Sequence, residues 1–177
     1  MPRDELLSDV VDHIAEHGLG DASLRSIAAA VGTSHRMLIH HFGGMEGLLV
    51  AVVQEVERRT RHAFGELEGG PDDVMWALWK GLADPAMWPL ERVFFEMYGA
   101  ALAGRPGTTG LLDDIVDSWL RPAMALGVSK TDARLALAVC RGLLLDLLAT
   151  EDRRSVDRAA KRFQQLLLRG NEDLGAH

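Results

Sequence analysis

The chain has 177 residues, 47% of them hydrophobic, and a formal net charge of −7 from 19 Lys and Arg against 26 Asp and Glu. That length and apolar content suffice to bury a substantial core, while the acidic balance argues against a general nucleic-acid coat protein, which would carry a basic stripe. A small cationic face on an acidic body remains compatible with a specific DNA reader. The one cysteine, Cys140, leaves no intramolecular disulfide and no Cys-pair zinc site, which fits a reducing cytoplasm. No apolar run nears the ~20 residues that span a bilayer, Leu143–Ala149 being broken by Asp146, and no signal-type apolar core follows Met1–Glu5. A cytoplasmic protein without membrane contact is expected.

In chain order, the first expected helix runs from about Asp4 to His17, with Leu7, Val10, Val11 and Ile14 as its apolar stripe and Gly18 as its end. Two short helical patterns hinged at a glycine follow, and they are the most informative part of the chain. Leu24, Ile27, Ala28 and Val31 share one face, and small Ala29 and Ala30 allow close approach. Gly32 reaches the left-handed conformation without a Cβ penalty, and Ser34 is placed to cap the next helix through its hydroxyl. There Met37, Leu38 and Phe42 can point inward, leaving His35, Arg36, Ile39 and His40 around the outer face. Two helices joined by a tight turn, with a varied outer face on the second, read as a DNA-binding helix-turn-helix, although such pairs also occur in ordinary helical bundles.

A long helix from about Gly44 to Glu66 then carries Leu48, Leu49, Val52, Val53 and Val56. Further helices are expected over Asp72–Ala83, Pro89–Ala103, Leu111–Leu126, Thr131–Thr150 and Ser155–Arg169. Glu68-Gly69-Gly70-Pro71, Asp84-Pro85, Gly104-Arg105-Pro106-Gly107 and Gly127-Val128-Ser129 break the pattern between them. Nothing reads as a sheet, so the fold class is all-α, a three-helix head over 1–46 followed by a larger helical body over 47–177. In the body, leucines surround most of the Thr131–Thr150 helix, and burial on one side cannot satisfy them all. Val139, Leu143 and Leu147, with Phe163, Leu166 and Leu167 of the last helix, are the expected homodimer interface, a four-helix bundle about a two-fold axis. Trp76, Trp79, Trp88, Phe95, Tyr98 and Trp119 are candidates for a small-molecule pocket, since Trp and Tyr bring polar handles to an apolar wall. They equally suit a core.

Catalysis would need a convergent nucleophile, base and orienting group, yet the chain has no GxSxG, HExxH or phosphate-cradling glycine loop. No cofactor is implied. His13 and His17 stand at i and i+4 but lack a third ligand for a metal.

The stretch Leu38-Ile39-His40-His41-Phe42-Gly43-Gly44-Met45-Glu46-Gly47-Leu48-Leu49 is similar to the Leu-Tyr-x-Tyr-Phe-x-Ser-Lys-Glu-x-Leu-Leu pattern of the tetracycline-repressor family of bacterial transcription regulators. The resemblance covers roughly the first third of the chain. It implies a homodimer that binds a palindromic operator in double-stranded DNA, and a body that senses a small apolar or aromatic effector, with repression relieved by ligand. The expected DNA-binding residues are Arg25, Ser34, His35, Arg36, Met37, His40, His41 and the helix start at Gly44. The resemblance supports Arg25 as a base reader from the first helix of the motif, whereas Arg36 rests on geometry. Several positions depart from the pattern. Ala22 replaces a capping Thr, leaving the cap to Asp21 or Ser23, and Ile39, His41 and Met45 replace phosphate-contacting side chains. Weaker non-specific affinity is therefore expected. Because histidine is half-charged only near pH ~6.5, DNA binding is expected to strengthen below pH 7. The competing reading is a dimeric small-molecule-binding or protein-interaction module with weakened or lost DNA binding.

Overall fold

The structure is a computed structural model that describes the backbone of residues 1–174 and the side chains of residues 1–167 apart from residue 109. Every regular element among the described residues is helical: α1 (Arg3–His17), α2 (Leu24–Ala30), α3 (His35–Phe42), α4 (Met45–Gly65), α5 (Pro71–Leu82), α6 (Trp88–Leu102), α7 (Asp117–Ala125), α8 (Lys130–Thr150) and α9 (Arg153–Leu174). Short 3-10 turns at Pro85–Met87 and Thr109–Leu111 flank α6. By contact, the chain divides into two compact units, one of Met1–His62 with Pro85–Ile115 and one of Ala63–Asp84 with Val116 onward.

In the first unit, α1 buries Leu6, Leu7, Val10, Val11 and Ile14, one more leucine than the expected stripe. It packs against α6, whose Leu90, Val93, Phe94, Met97, Ala100 and Ala101 are buried. Arg59 ties α4 to α1, donating from Nη2 to Ser8 Oγ at 3.0 Å and pairing with Asp12 at 3.5 Å. Ile27, Ala28, Leu38 and Phe42 of the helix-turn-helix are buried too, as are Leu48, Leu49, Ala51, Val52 and Val53 of α4.

In the second unit, Phe64, Val74 and Trp119 form a core cluster with Leu78, Leu126 and Leu137 against it. The two ends of α5 are tied to α9. Asp157 accepts the Trp79 indole N–H at 2.8 Å and both its oxygens accept from Arg153 Nε at 3.0 Å. Arg153 also donates to the Ala83 carbonyl, and Gln164 Nε2 donates to that of Asp72 at 2.8 Å.

One element departs from expectation. The helix expected over Leu111–Leu126 begins only at Asp117. Leu111 and Ile115 are buried in the first unit while Trp119 and Leu120 belong to the second, so the chain changes partner at 115/116. Asp114, at φ +61°, takes up the change of direction in a left-handed conformation that a continuous helix does not contain.

Candidate DNA interface

The turn between α2 and α3 is built by three local devices. Ser23 opens α2 as a capping box with Ser26: its Oγ accepts the Ser26 N–H at 3.2 Å, and Ser26 Oγ accepts the Ser23 N–H at 2.8 Å. This assigns the cap to Ser23 and not to Asp21. At the other end, Gly32 sits at φ +68°, and the Thr33 N–H reaches back to the Ala28 carbonyl at 2.8 Å, closing the helix with a Schellman bond. Ser34 then caps α3, its Oγ accepting the Met37 N–H at 3.2 Å.

These devices set the rotation of α3. Leu38 and Phe42 are buried, whereas Met37, expected to point inward with them, is exposed together with Arg36, Ile39 and His40, since helical rotation carries it off the buried side. Arg25 is exposed on α2, and His35 is half-buried. Arg36 and His40 stand one turn apart on the outer face, with Ile39, 42% exposed, to one side and Met37 to the other. One of the expected DNA contacts needs correction. His41 turns inward, its Nε2 buried and without a hydrogen-bond partner among the described residues, its ring against His40 and Phe42. Helical rotation puts it beside Phe42, off the outer face. Ser34 is exposed, and its Oγ accepts in the cap while its O–H keeps the capacity to donate.

Two features at the end of α3 carried no signal in the sequence. Arg3 holds its guanidinium 5.2 Å from the centre of the Phe42 ring, which brings an extra cation to the C-terminal end of α3. Gly47, in the first turn of α4, is pressed against the Phe42 backbone, where a side-chain carbon would collide with the carbonyl oxygen. The α3–α4 corner is therefore tight: Gly43 ends α3 at φ +78°, and the Leu48 N–H bonds the Gly44 carbonyl at 3.0 Å. The free N–H groups of the first turn of α4 lie beside it.

Residues 10–52 match the family of bacterial regulatory proteins named tetR. The matched segment runs from within α1 to within α4 and contains the whole helix-turn-helix. The chain's similarity to TetR-family regulators includes 34% identity over 95 residues to the HTH-type transcriptional repressor AcnR of Corynebacterium glutamicum, covering 54% of this chain and 48% of AcnR. It is 30% identical over 71 residues to the HTH-type transcriptional regulator BetI of Stenotrophomonas maltophilia, covering 40% of this chain and 36% of BetI. The matched segment thus spans half or less of either relative. Among solved structures, a transcriptional regulator from Rhodococcus superposes with TM-score 0.77 at 22% identity, covering 96% of this chain and 97% of that one. Salmonella enterica GusR superposes with TM-score 0.64 at 26% identity over 93% and 92% of the two chains. The fold is therefore shared with these regulators over more than nine-tenths of the chain, well beyond the sequence motif.

The six aromatics considered for an effector pocket of TetR type do not converge within either unit. Trp76 and Trp79 line a narrow apolar cleft of about 20 Å³ with Met75, Val139, Cys140, Leu143, Ala160, Phe163 and Gln164. Trp119 is core, packed edge-on against Phe64 at 6.2 Å. Trp88, Phe95 and Tyr98 stand on α6 in the other unit, where Phe94 contacts the Phe95 ring edge-on and stacks with Tyr98.

The six expected dimer residues divide as well. Leu147 is fully buried within one chain and so cannot face a partner. Val139, Leu143 and Phe163 line the cleft just described, leaving Leu166, 51% exposed, as the open apolar residue of the six and Leu167 half-buried. The open side of α8 is a different stripe, Leu135, Ala138, Gly142, Leu145 and Ala149, all exposed and opposite buried Ala133, Leu144 and Leu147. Because α8 is apolar nearly all round, periodicity alone could not separate these two sides. No single helix among the described residues is long and apolar enough to cross a membrane.

Proposed function

We propose that this chain is a sequence-specific DNA-binding transcription regulator, a repressor that acts as a homodimer on a palindromic operator in the cytoplasm and is relieved by a small apolar or aromatic effector. The observation that carries the reading is the doubly capped α2–α3 pair, which leaves Arg36 and His40 open on α3 and Arg25 open on α2. A guanidinium can bond guanine O6 and N7 together. Residues 1–46 act as the reading head and 47–177 as the body, and this boundary falls in the first turn of α4.

Dimerisation follows from geometry, since one short helix reads few bases and two related by a two-fold axis read half-sites about 34–36 Å apart. The Leu135–Ala149 stripe on α8 and Leu166 on α9 are the surface proposed for it. An effector would enter at the Trp76–Trp79 cleft by displacing side chains, since about 20 Å³ holds no more than a water-sized group, and would favour a dimer whose heads no longer match one DNA turn. No catalytic role is proposed.

A second reading, a dimeric sensor or interaction module with lost DNA binding, is favoured by exposed apolar Ile39 where the family pattern has a tyrosine. Selection of sites from randomised duplex DNA at pH 6.5 and 7.5 separates the two. Enrichment of a two-fold symmetric site, stronger at the lower pH, is expected; no enrichment from a folded dimer would establish the sensor reading instead.

A further inference from the structure

Two large apolar side chains stand open on α3, Met37 at 36% and Ile39 at 42% exposure, and neither the fold nor the cationic reading of DNA uses them. Ile39 is the fifth of the eight residues of the helix. With Leu38 and Phe42 on the buried side, a turn of about 100° per residue sets Ile39 beside Arg36, three residues earlier, on the open side. We propose that Ile39 is a specificity-determining residue that reads the C5-methyl group of a thymine in each operator half-site. The proposal rests on the assignment of α3 as the DNA-reading helix.

Of the surfaces that line a major groove, an isoleucine suits one. Phosphate and sugar oxygens need a hydrogen-bond donor or a charge, and the Ile39 side chain has no polar atom. Guanine, adenine and cytosine present acceptors and amino donors at their major-groove edges. An aliphatic group pressed against these removes water without returning a hydrogen bond. Thymine adds a methyl group, and contact with it takes apolar surface of both partners out of water.

Ile39 is also held ready for that contact. The Ser34 cap fixes one end of α3, and the Gly43 N–H donates to the Ile39 carbonyl at 2.8 Å at the other. Branching at Cβ leaves isoleucine one strongly preferred χ1 in a helix, so little side-chain freedom is lost on binding. Met37, on the far side of the face beside His40, is unbranched and adapts to many shapes, which makes it a poor discriminator. Side chains three apart on a helix lie about 5–6 Å apart at Cβ, and bases stack about 3.4 Å apart. The thymine therefore falls within about two base pairs of the base that Arg36 reads.

The test uses the full chain and the duplex it selects from randomised DNA. Each thymine of the half-site is replaced in turn, in both half-sites, by deoxyuridine, which pairs alike and lacks only the methyl group. Affinity is read by fluorescence anisotropy at fixed salt. One such replacement should weaken binding by about fourfold per half-site, the effect of a single buried carbon group. Ile39→Ala should bind the thymine and uracil duplexes equally, whereas Met37→Ala should keep the parent preference. Ile39 is exposed, so its truncation opens no cavity, and an unchanged helical spectrum checks the fold. A parent chain indifferent to every replacement, or an Ile39→Ala chain that keeps the fourfold preference, would overturn the proposal while leaving DNA reading intact. Failure of the folded parent chain to select any site would overturn the DNA-reading assignment and this proposal with it.

Discussion

Trp79 and Asp157, 78 residues apart in the chain, are joined by a 2.8 Å hydrogen bond from the indole N–H to a carboxylate oxygen. The same carboxylate holds Arg153, which also reaches the Ala83 carbonyl, so one acid joins the end of α5 to the start of α9. Trp79 is only 2% exposed. Removing its acceptor leaves a buried donor with no water to replace it, a loss of about 1–3 kcal/mol. Asp157→Ala should lower the urea midpoint accordingly and shift tryptophan emission, while a conservative change at exposed Arg158 should do neither.

Glu55 contributes a pH-dependent part of stability. Hydrogen bonds and charge from Arg58, and then from Arg59, hold its carboxyl down to about 2 from 4.5 against the opposing effect of burial. A depressed folded-state value means the stabilisation is complete above 4.5 and is lost as pH falls toward 2. Much of this pairing faces solvent, so Glu55→Gln should cost only about 1 kcal/mol at neutral pH. The difference from the parent chain should vanish in unfolding curves near the lower end of that window.

On α8, Leu145 and Leu147 should behave oppositely. Leu147→Ala opens a cavity in a single chain and should cost about 2–5 kcal/mol of stability. Leu145→Glu, on the 50% exposed side, should leave the fold intact and yield monomers by sedimentation, since a charge would enter the proposed interface. A dimer that survives Leu145→Glu would place the interface elsewhere.

At the α3–α4 corner, Gly47→Ala should destabilise the chain by about 1–3 kcal/mol through collision with the Phe42 carbonyl. Gly65→Ala, where a methyl group meets nothing within 4 Å, should stabilise slightly or do nothing. Comparison of the two melting curves checks it.

For DNA reading, Arg36→Ala should lower affinity for a selected operator by about 1–3 kcal/mol, and relax preference at one base position of each half-site. His41→Ala should act through stability instead, because the ring is turned away from the outer face. Titrations by fluorescence anisotropy at fixed salt distinguish loss of affinity from loss of fold.

Much of this architecture is legible without coordinates, because it rests on local physics. Apolar spacing at 3.6 residues, a serine before each short helix and a glycine after α2 place the helix-turn-helix within a residue or two. The breaks at Gly69-Gly70-Pro71, Asp84-Pro85 and Gly127 mark the body helices for the same reason: clustered Gly and Pro disfavour helix through local backbone effects. What only the tertiary structure decided is which side of an apolar helix meets which partner. Leu145 and Leu147 are alike in sequence, and packing buries one and exposes the other. The split of Leu111–Leu126 between two units, the inward turn of His41, the seat of Arg3 on Phe42 and the Trp79–Asp157 bond all join residues whose separation in the chain carries no periodic signal. Backbone propensity acts over a few residues, whereas these contacts exist only after distant elements have packed.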